Sequence, residues 1–203
     1  MKLEASDSRR VPSRDGRSET RERASRFFGF AFRARSEESA RARILELEKE
    51  FHDATHVCFA WRIGASRRAA DAGEPAGTAG KPILSAIDAA GLDEAAVAVV
   101  RWFGGTKLGT AGLVRCYRDT ARQALAEAGA EEIFDTVDLV VEAPYEKVAA
   151  VKRLVDPPAV SIVEESFSER ARFRLRVRRS RRDEIETALN QERIGWRAGD
   201  AAP

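Results

Sequence analysis

Histidine and cysteine are scarce in this sequence, two of each in 203 residues. A closed zinc site takes about four such ligands at short spacings. His52, His56, Cys58 and Cys116 form neither CxxC nor CxxH, so no metal is expected. Two cysteines make no disulfide framework, which favours a reducing compartment. Long apolar runs are missing too: the longest, Ala95 to Val100, is far short of the ~20 residues that span a bilayer. The first residues, MKLEASDSRR, contain no apolar signal segment. The expectation is a cytoplasmic chain without a membrane role. Charge of one sign is not in excess either, since 35 basic and 33 acidic residues leave +2. Any nucleic-acid surface must therefore be a local patch. GxSxG and GxxxxGK[ST] do not occur, and no GxGxxG follows a strand.

What is present reads as two α+β domains behind a tail. Residues 1–24 hold only Leu3 and Val11 as large aliphatics and cannot offset their ordering entropy. They are expected as a mobile tail, with at most a short edge strand near Thr20–Ala24. Order is expected from Ser25. The phenylalanines of SRFFGFAF mark a strand, and Ser36 caps a helix with Ala40, Ile44, Leu47 and Phe51 on one stripe. Thr55–Ile63 is a second strand, and 64–80 reads as a glycine- and alanine-rich loop. A short helix, Lys81–Ala90, has Pro82 in its first turn and Gly91 past its end. Ala95–Phe103 is apolar enough for a central strand, and Gly109–Ala128 is a long helix burying Leu113, Tyr117, Ala121, Ala124 and Ala128. A second domain, 136–203, follows the first at 25–135. It reads βαββα: a strand, a helix from Pro144 with Tyr145, Val148, Val151 and Val155 inward, strands at 159–168 and 170–179, and a last helix capped by Ser180 with Asp183.

Two loops carry the chemistry. DAGEPAGTAGKP runs from Asp71 to Pro82 and RWFGGTKLGTAGL from Arg101 to Leu113. Glycine at this density permits positive φ and close approach, and backbone N–H groups at a helix start can cradle an anion. Lys81 and Lys107 would add positive charge. Tight turns that only brace the fold are the alternative.

THVCFAWRIG at 55–64, GEPAGTAGKPIL at 73–84 and VVRWFGGTKLGTAGLVRCY at 99–117 together resemble the IMPACT/YigZ family. The resemblance is strong over about 25–135 and extends to SRFFGFA at 25–31. Where family members mostly carry two acids before GEP, this chain has Asp71, Ala72 and Gly73, and Val57 replaces a commonly polar residue. The resemblance implies a first domain like the second domain of a small-subunit ribosomal protein, a mixed sheet with helices on one face. It implies a ferredoxin-like second domain similar to the fifth domain of elongation factor G. Eukaryotic members regulate translation by competing for the activator of an amino-acid-starvation kinase. Bacteria lack that kinase, so translation or RNA is the theme that carries over, by analogy.

The function expected is a non-enzymatic, translation-associated binding protein without a cofactor, contacting RNA, the ribosome or a translation-related protein. Candidate contact residues are His56, Asp71, Glu74, Thr78, Lys81, Arg101, Gly104, Gly105, Lys107, Gly109 and Arg115. The alternatives are a pure protein-interaction module and a small-molecule or nucleotide phosphate enzyme built on the glycine loops. A second surface is RARFRLRVRR, in which Arg170, Arg172, Arg174, Arg176 and Arg178 alternate with apolar residues. On a strand they share one face, suited to phosphate or to pairing with Glu164, Glu165 and Glu169.

Overall fold

The structure is a computed structural model and describes residues 7–199. It divides into two units, Arg9–Ile133 and the chain from Phe134 onward joined by Asp7 and Ser8. The division falls two residues before the expected boundary at 135/136.

The first unit is built on a five-stranded sheet of order β2-β3-β6-β4-β5. Its strands are β2 (Gly16–Glu22), β3 (Ser25–Arg33), β4 (His56–Ile63), β5 (Ser66–Ala70) and β6 (Ala95–Trp102). Every neighbouring pair is antiparallel, so the expected mixed sheet is corrected. The helices also lie on both faces rather than one. α2 (Gly80–Ala90) and α3 (Gly109–Ala128) pack with Phe27, Val97 and Val99. α1 (Glu37–Glu50) packs on the opposite face with Phe32, Trp61, Ala96 and Ala98. The cause is visible in β6, where seven consecutive residues are buried. An unbroken apolar strand requires cover on both sides.

The expected tail at 1–24 is corrected from Ser8 onward; residues 1–6 lie outside the described region. β1 (Ser8–Val11) pairs with β7 (Glu131–Phe134), and Val11 is fully buried. β2 docks on α3 with small residues in place of aliphatics. A Cβ on Gly16 would stand 2.2 Å from the Ala124 carbonyl oxygen, and Ser18 Oγ donates to the Thr120 carbonyl at 2.8 Å. Hydrogen bonding and close backbone approach hold this strand, which is why it leaves no hydrophobic signature. β5, inside the expected loop 64–80, escapes for a related reason: SRRAA is an edge strand of partly exposed and exposed residues, paired only to β4.

In the second unit, β8 (Thr136–Ala143), α4 (Val148–Arg153), β9 (Val160–Phe167), β10 (Ala171–Arg178), α5 (Arg182–Gln191) and β11 (Gly195–Ala198) follow the order βαββαβ. The antiparallel sheet runs β11-β8-β10-β9, so a strand is added to the expected βαββα. Leu139, Val141, Phe173, Leu175, Ile185 and Leu189 form its core. Two local expectations fail. Residues 145–147 form a 3₁₀ turn that changes the helical phase, leaving Tyr145 exposed with its hydroxyl donating to the Ser168 carbonyl. Another such turn, Arg179–Arg181, precedes α5, so Ser180 sits too early to cap it. Its hydroxyl and backbone N–H donate instead to the Asp7 carboxylate.

Candidate functional site

The two glycine loops meet beside the start of α3, around a cavity of about 440 Å³ whose lining includes His56, Glu74, Arg101, Phe103, Lys107 and Thr110. The first loop is organised by Asp71. Its carboxylate accepts from the backbone N–H groups of Gly77 at 2.7 Å, Ala79 at 3.0 Å and Gly80 at 2.8 Å. These donors lie at the entry to α2, whose N-cap, Ala79, has no side-chain acceptor to offer them. The chain's own carboxylate thus fills the place where an anion cradle was expected. Burial alone raises the Asp71 pKa, but the three N–H donors outweigh it and hold it below the ordinary carboxylate range.

Asp71→Ala should therefore cost about 0.5–2 kcal/mol, the range of a lost helix cap, in urea unfolding. A depressed folded pKa contributes stability that is complete above the unfolded value, ~3.9, and lost as pH falls through the folded one. The gap between wild type and Asp71→Ala should accordingly close as pH drops below about 4. A gap that is constant with pH would contradict the ionised brace.

Glu74 lies under the loop, with its side chain 3% exposed. Its Oε1 accepts from Arg101 Nη1 at 2.5 Å and from the Tyr117 hydroxyl at 2.7 Å. Arg101 also reaches Ser25 Oγ at 3.4 Å and packs its guanidinium near the rings of Phe27 and Phe103. His56 Nε2 stands 3.9 Å from Glu74 Oε1, while its Nδ1 is 2.9 Å from the Ala72 carbonyl oxygen. Cys58 donates to the Asp71 carbonyl at 3.0 Å and adjoins the Tyr117 hydroxyl at 3.4 Å. Burial pushes the Cys58 thiol up to about 12, so it is protonated at neutral pH and a poor nucleophile. Burial likewise raises Tyr117, keeping its phenol neutral as a donor.

The second loop shows why two of its glycines are needed. A Cβ on Gly104 would lie 2.0 Å from the Ala24 carbonyl carbon, and its N–H donates to Ser25 Oγ. Gly105 has φ 82 and open space around it, so conformation and not room demands glycine there. Gly109 begins α3, and no side chain caps that end.

His56, Glu74, Arg101, Lys107 and Gly109 of the expected contact residues meet at the cavity. Asp71 and Thr78 are internal braces, Thr78 donating to the Pro75 carbonyl at 2.7 Å. Lys81 is exposed in the first turn of α2, and Arg115 pairs with Glu22 at 3.0 Å; neither lines the cavity. Sequence reading missed Tyr117 and Phe103 as site residues. The apolar stripe of α3 absorbed the first, and the end of an apolar strand absorbed the second. Polarity in Tyr117 was the available signal, since a buried hydroxyl needs a partner.

On β10 the alternation is as read, with Ala171, Phe173, Leu175 and Val177 buried. The arginines are paired mostly with β8 rather than with the expected acids. Arg172 meets Glu142 at 2.9 Å and Arg176 meets the buried Asp138 at 3.0 Å. Arg174 meets Glu164 at 2.8 Å, and Arg178 stacks over Phe134 with its guanidinium 3.3 Å from the ring centroid. Glu165 pairs instead with Lys152. Among the described residues no helix is long and apolar enough to cross a membrane.

Residues 23–125 match the family model of the Impact N-terminal domain. An IMPACT family member from the pol 5′ region of Thermus thermophilus is 43% identical over 153 residues, 75% of this chain and 84% of the relative. An IMPACT family member of Haemophilus influenzae is 31% identical over 176 residues, 84% of this chain and 85% of the relative. A crystal structure of a hypothetical protein matches 97% of this chain and 99% of its own, with a TM-score of 0.67 at 26% identity.

Proposed function

This chain belongs to the IMPACT family, and from that premise we propose that it is a non-enzymatic cytoplasmic binding protein associated with translation. Its partner meets the rim of the loop cavity. The observation that carries this reading is the contrast between interior and mouth. Inside, Glu74 is engaged by Arg101 and Tyr117, Asp71 is held by the backbone N–H groups of its own loop, and the nearest thiol is protonated. At the mouth, Phe103 is 44% exposed and Lys107 is exposed beside it. An exposed aromatic at the mouth of a pocket suits a binding surface, and Lys107 adds a positive charge there. The likeness expected of the first unit to a ribosomal-protein domain, and of the second to an elongation-factor domain, would suit RNA, the ribosome or a translation protein. The βαββαβ order is the ferredoxin-like one.

A second reading has one observation in its favour. α3 starts at Gly109 without a side-chain cap, next to Lys107, so a small phosphate could take the free N–H groups there. An enzyme would also need an ionisable group free to act, and Glu74 is already engaged by Arg101 and Tyr117.

Affinity capture from native lysate, with and without nuclease, distinguishes the partners. Nuclease-sensitive ribosomal material supports RNA or ribosome contact, and nuclease-resistant translation proteins support a protein partner. Capture of neither, with saturable binding of inorganic phosphate, would favour the enzyme. The arginine strand has its own test on single-stranded RNA. If Arg172, Arg174 and Arg176 touch phosphate, changing all three to Gln should make the salt slope shallower by roughly 0.7 per lost contact. An unchanged slope would leave them as cross-strand partners of Glu142, Glu164 and Asp138.

A further inference from the structure

A second surface of the first unit is organised for binding and owes nothing to the glycine loops. Between α2 and α3 lies a cavity of about 460 Å³. Its floor is apolar, with Ala86, Leu92 and Leu125 buried and Ala89 and Ala126 exposed on the two walls. Every charged residue lining it is an arginine: Arg10, Arg118 and Arg122. None is well neutralised. Among the described residues Arg10 reaches only the Ala90 carbonyl, at 3.4 Å, and Arg118 stands 3.6 Å from Asp119 on its own helix. Arg122 forms no ion pair among the described residues, while the acids nearby in sequence, Asp88 and Glu127, pair with Arg62, Arg67 and Arg14.

We propose that this groove docks an acidic amphipathic helix of a partner protein. Alanine on both walls lets another helix approach to the 8–10 Å of ordinary helix packing. Arg118, Arg122 and Ala126 are spaced i, i+4, i+8 on α3, so the rim is a line about 12 Å long, roughly two turns. A partner helix can set apolar side chains at i, i+3, i+4 and i+7 on the floor and carboxylates along that line, which is the helix-in-groove mode. A single fatty carboxylate would engage one arginine and leave the others. A nucleic-acid backbone would have no use for the apolar floor.

The probes are two labelled synthetic helices with leucines at i, i+3, i+4 and i+7, one flanked by glutamates and the other by lysines. Fluorescence anisotropy on the intact chain should show saturable one-to-one binding of the acidic peptide. The basic peptide should bind at least roughly tenfold more weakly, the effect of about 1.4 kcal/mol at the rim. Arg118→Glu with Arg122→Glu should invert that preference. Both positions are exposed, and Arg122→Gln, which should weaken the acidic peptide alone, guards against a misfolded double variant. Failure of the acidic peptide to bind, equal binding of both peptides, or an unchanged preference in the double variant would overturn the proposal. So would one-to-one binding of dodecanoate that blocks the peptide and survives Arg122→Gln.

Discussion

Glu74→Ala should destabilise the first unit by about 3–5 kcal/mol, the cost of leaving a buried charge without its partner. Arg101 is 5% exposed, so little water can replace the carboxylate. The same substitution deprives the buried Tyr117 hydroxyl of its acceptor. Glu74→Leu combined with Arg101→Met should be much less damaging than Glu74→Ala alone, because no charge is then stranded. Urea unfolding of the three variants measures this. A loss below about 1 kcal/mol for Glu74→Ala would place the pair in the class of exposed ion pairs and remove the brace from the account.

The second large effect lies in the other unit. Phe173→Ala should cost about 3–5 kcal/mol through the cavity it leaves, since Phe173 is fully buried among Leu139, Val141 and Leu175. Arg174→Gln, the next residue on the opposite face, should cost no more than about 1 kcal/mol, because its ion pair with Glu164 is exposed. Adjacent residues would thus differ severalfold in cost. Equal losses would mean that the arginine face is a structural layer and not a surface.

The sequence made these differences partly legible. Strict alternation in RARFRLRVRR identified which side of β10 is core, and glycine at 91 and 129 marked where α2 and α3 stop. Cover on both faces of the first sheet was written in Ala95–Val100 but is easily read as a mere central strand. β2 was legible only at its end, as an edge strand near Thr20–Ala24, because Gly16, Ser18 and Thr20 face α3 through close approach and hydroxyl hydrogen bonds, and hydropathy does not record either. The same blindness affected the first glycine loop. Spacing identified N–H groups at a helix start, yet only the fold reveals that Asp71 already occupies them. Pairing of the arginines to Asp138 and Glu142 was hidden by sequence distance, since β8 is remote in the chain and adjacent in the sheet.

The central claim is that the interior of the loop site braces while its rim binds, and Lys107→Ala separates the two most directly. Lys107 is exposed at the cavity mouth, so its truncation should leave the urea midpoint within the ±0.5 kcal/mol usual for surface changes. Capture of the translation partner by the variant should be lost at the same time. Undiminished capture, or a loss of stability comparable to that of Glu74→Ala, would contradict the account.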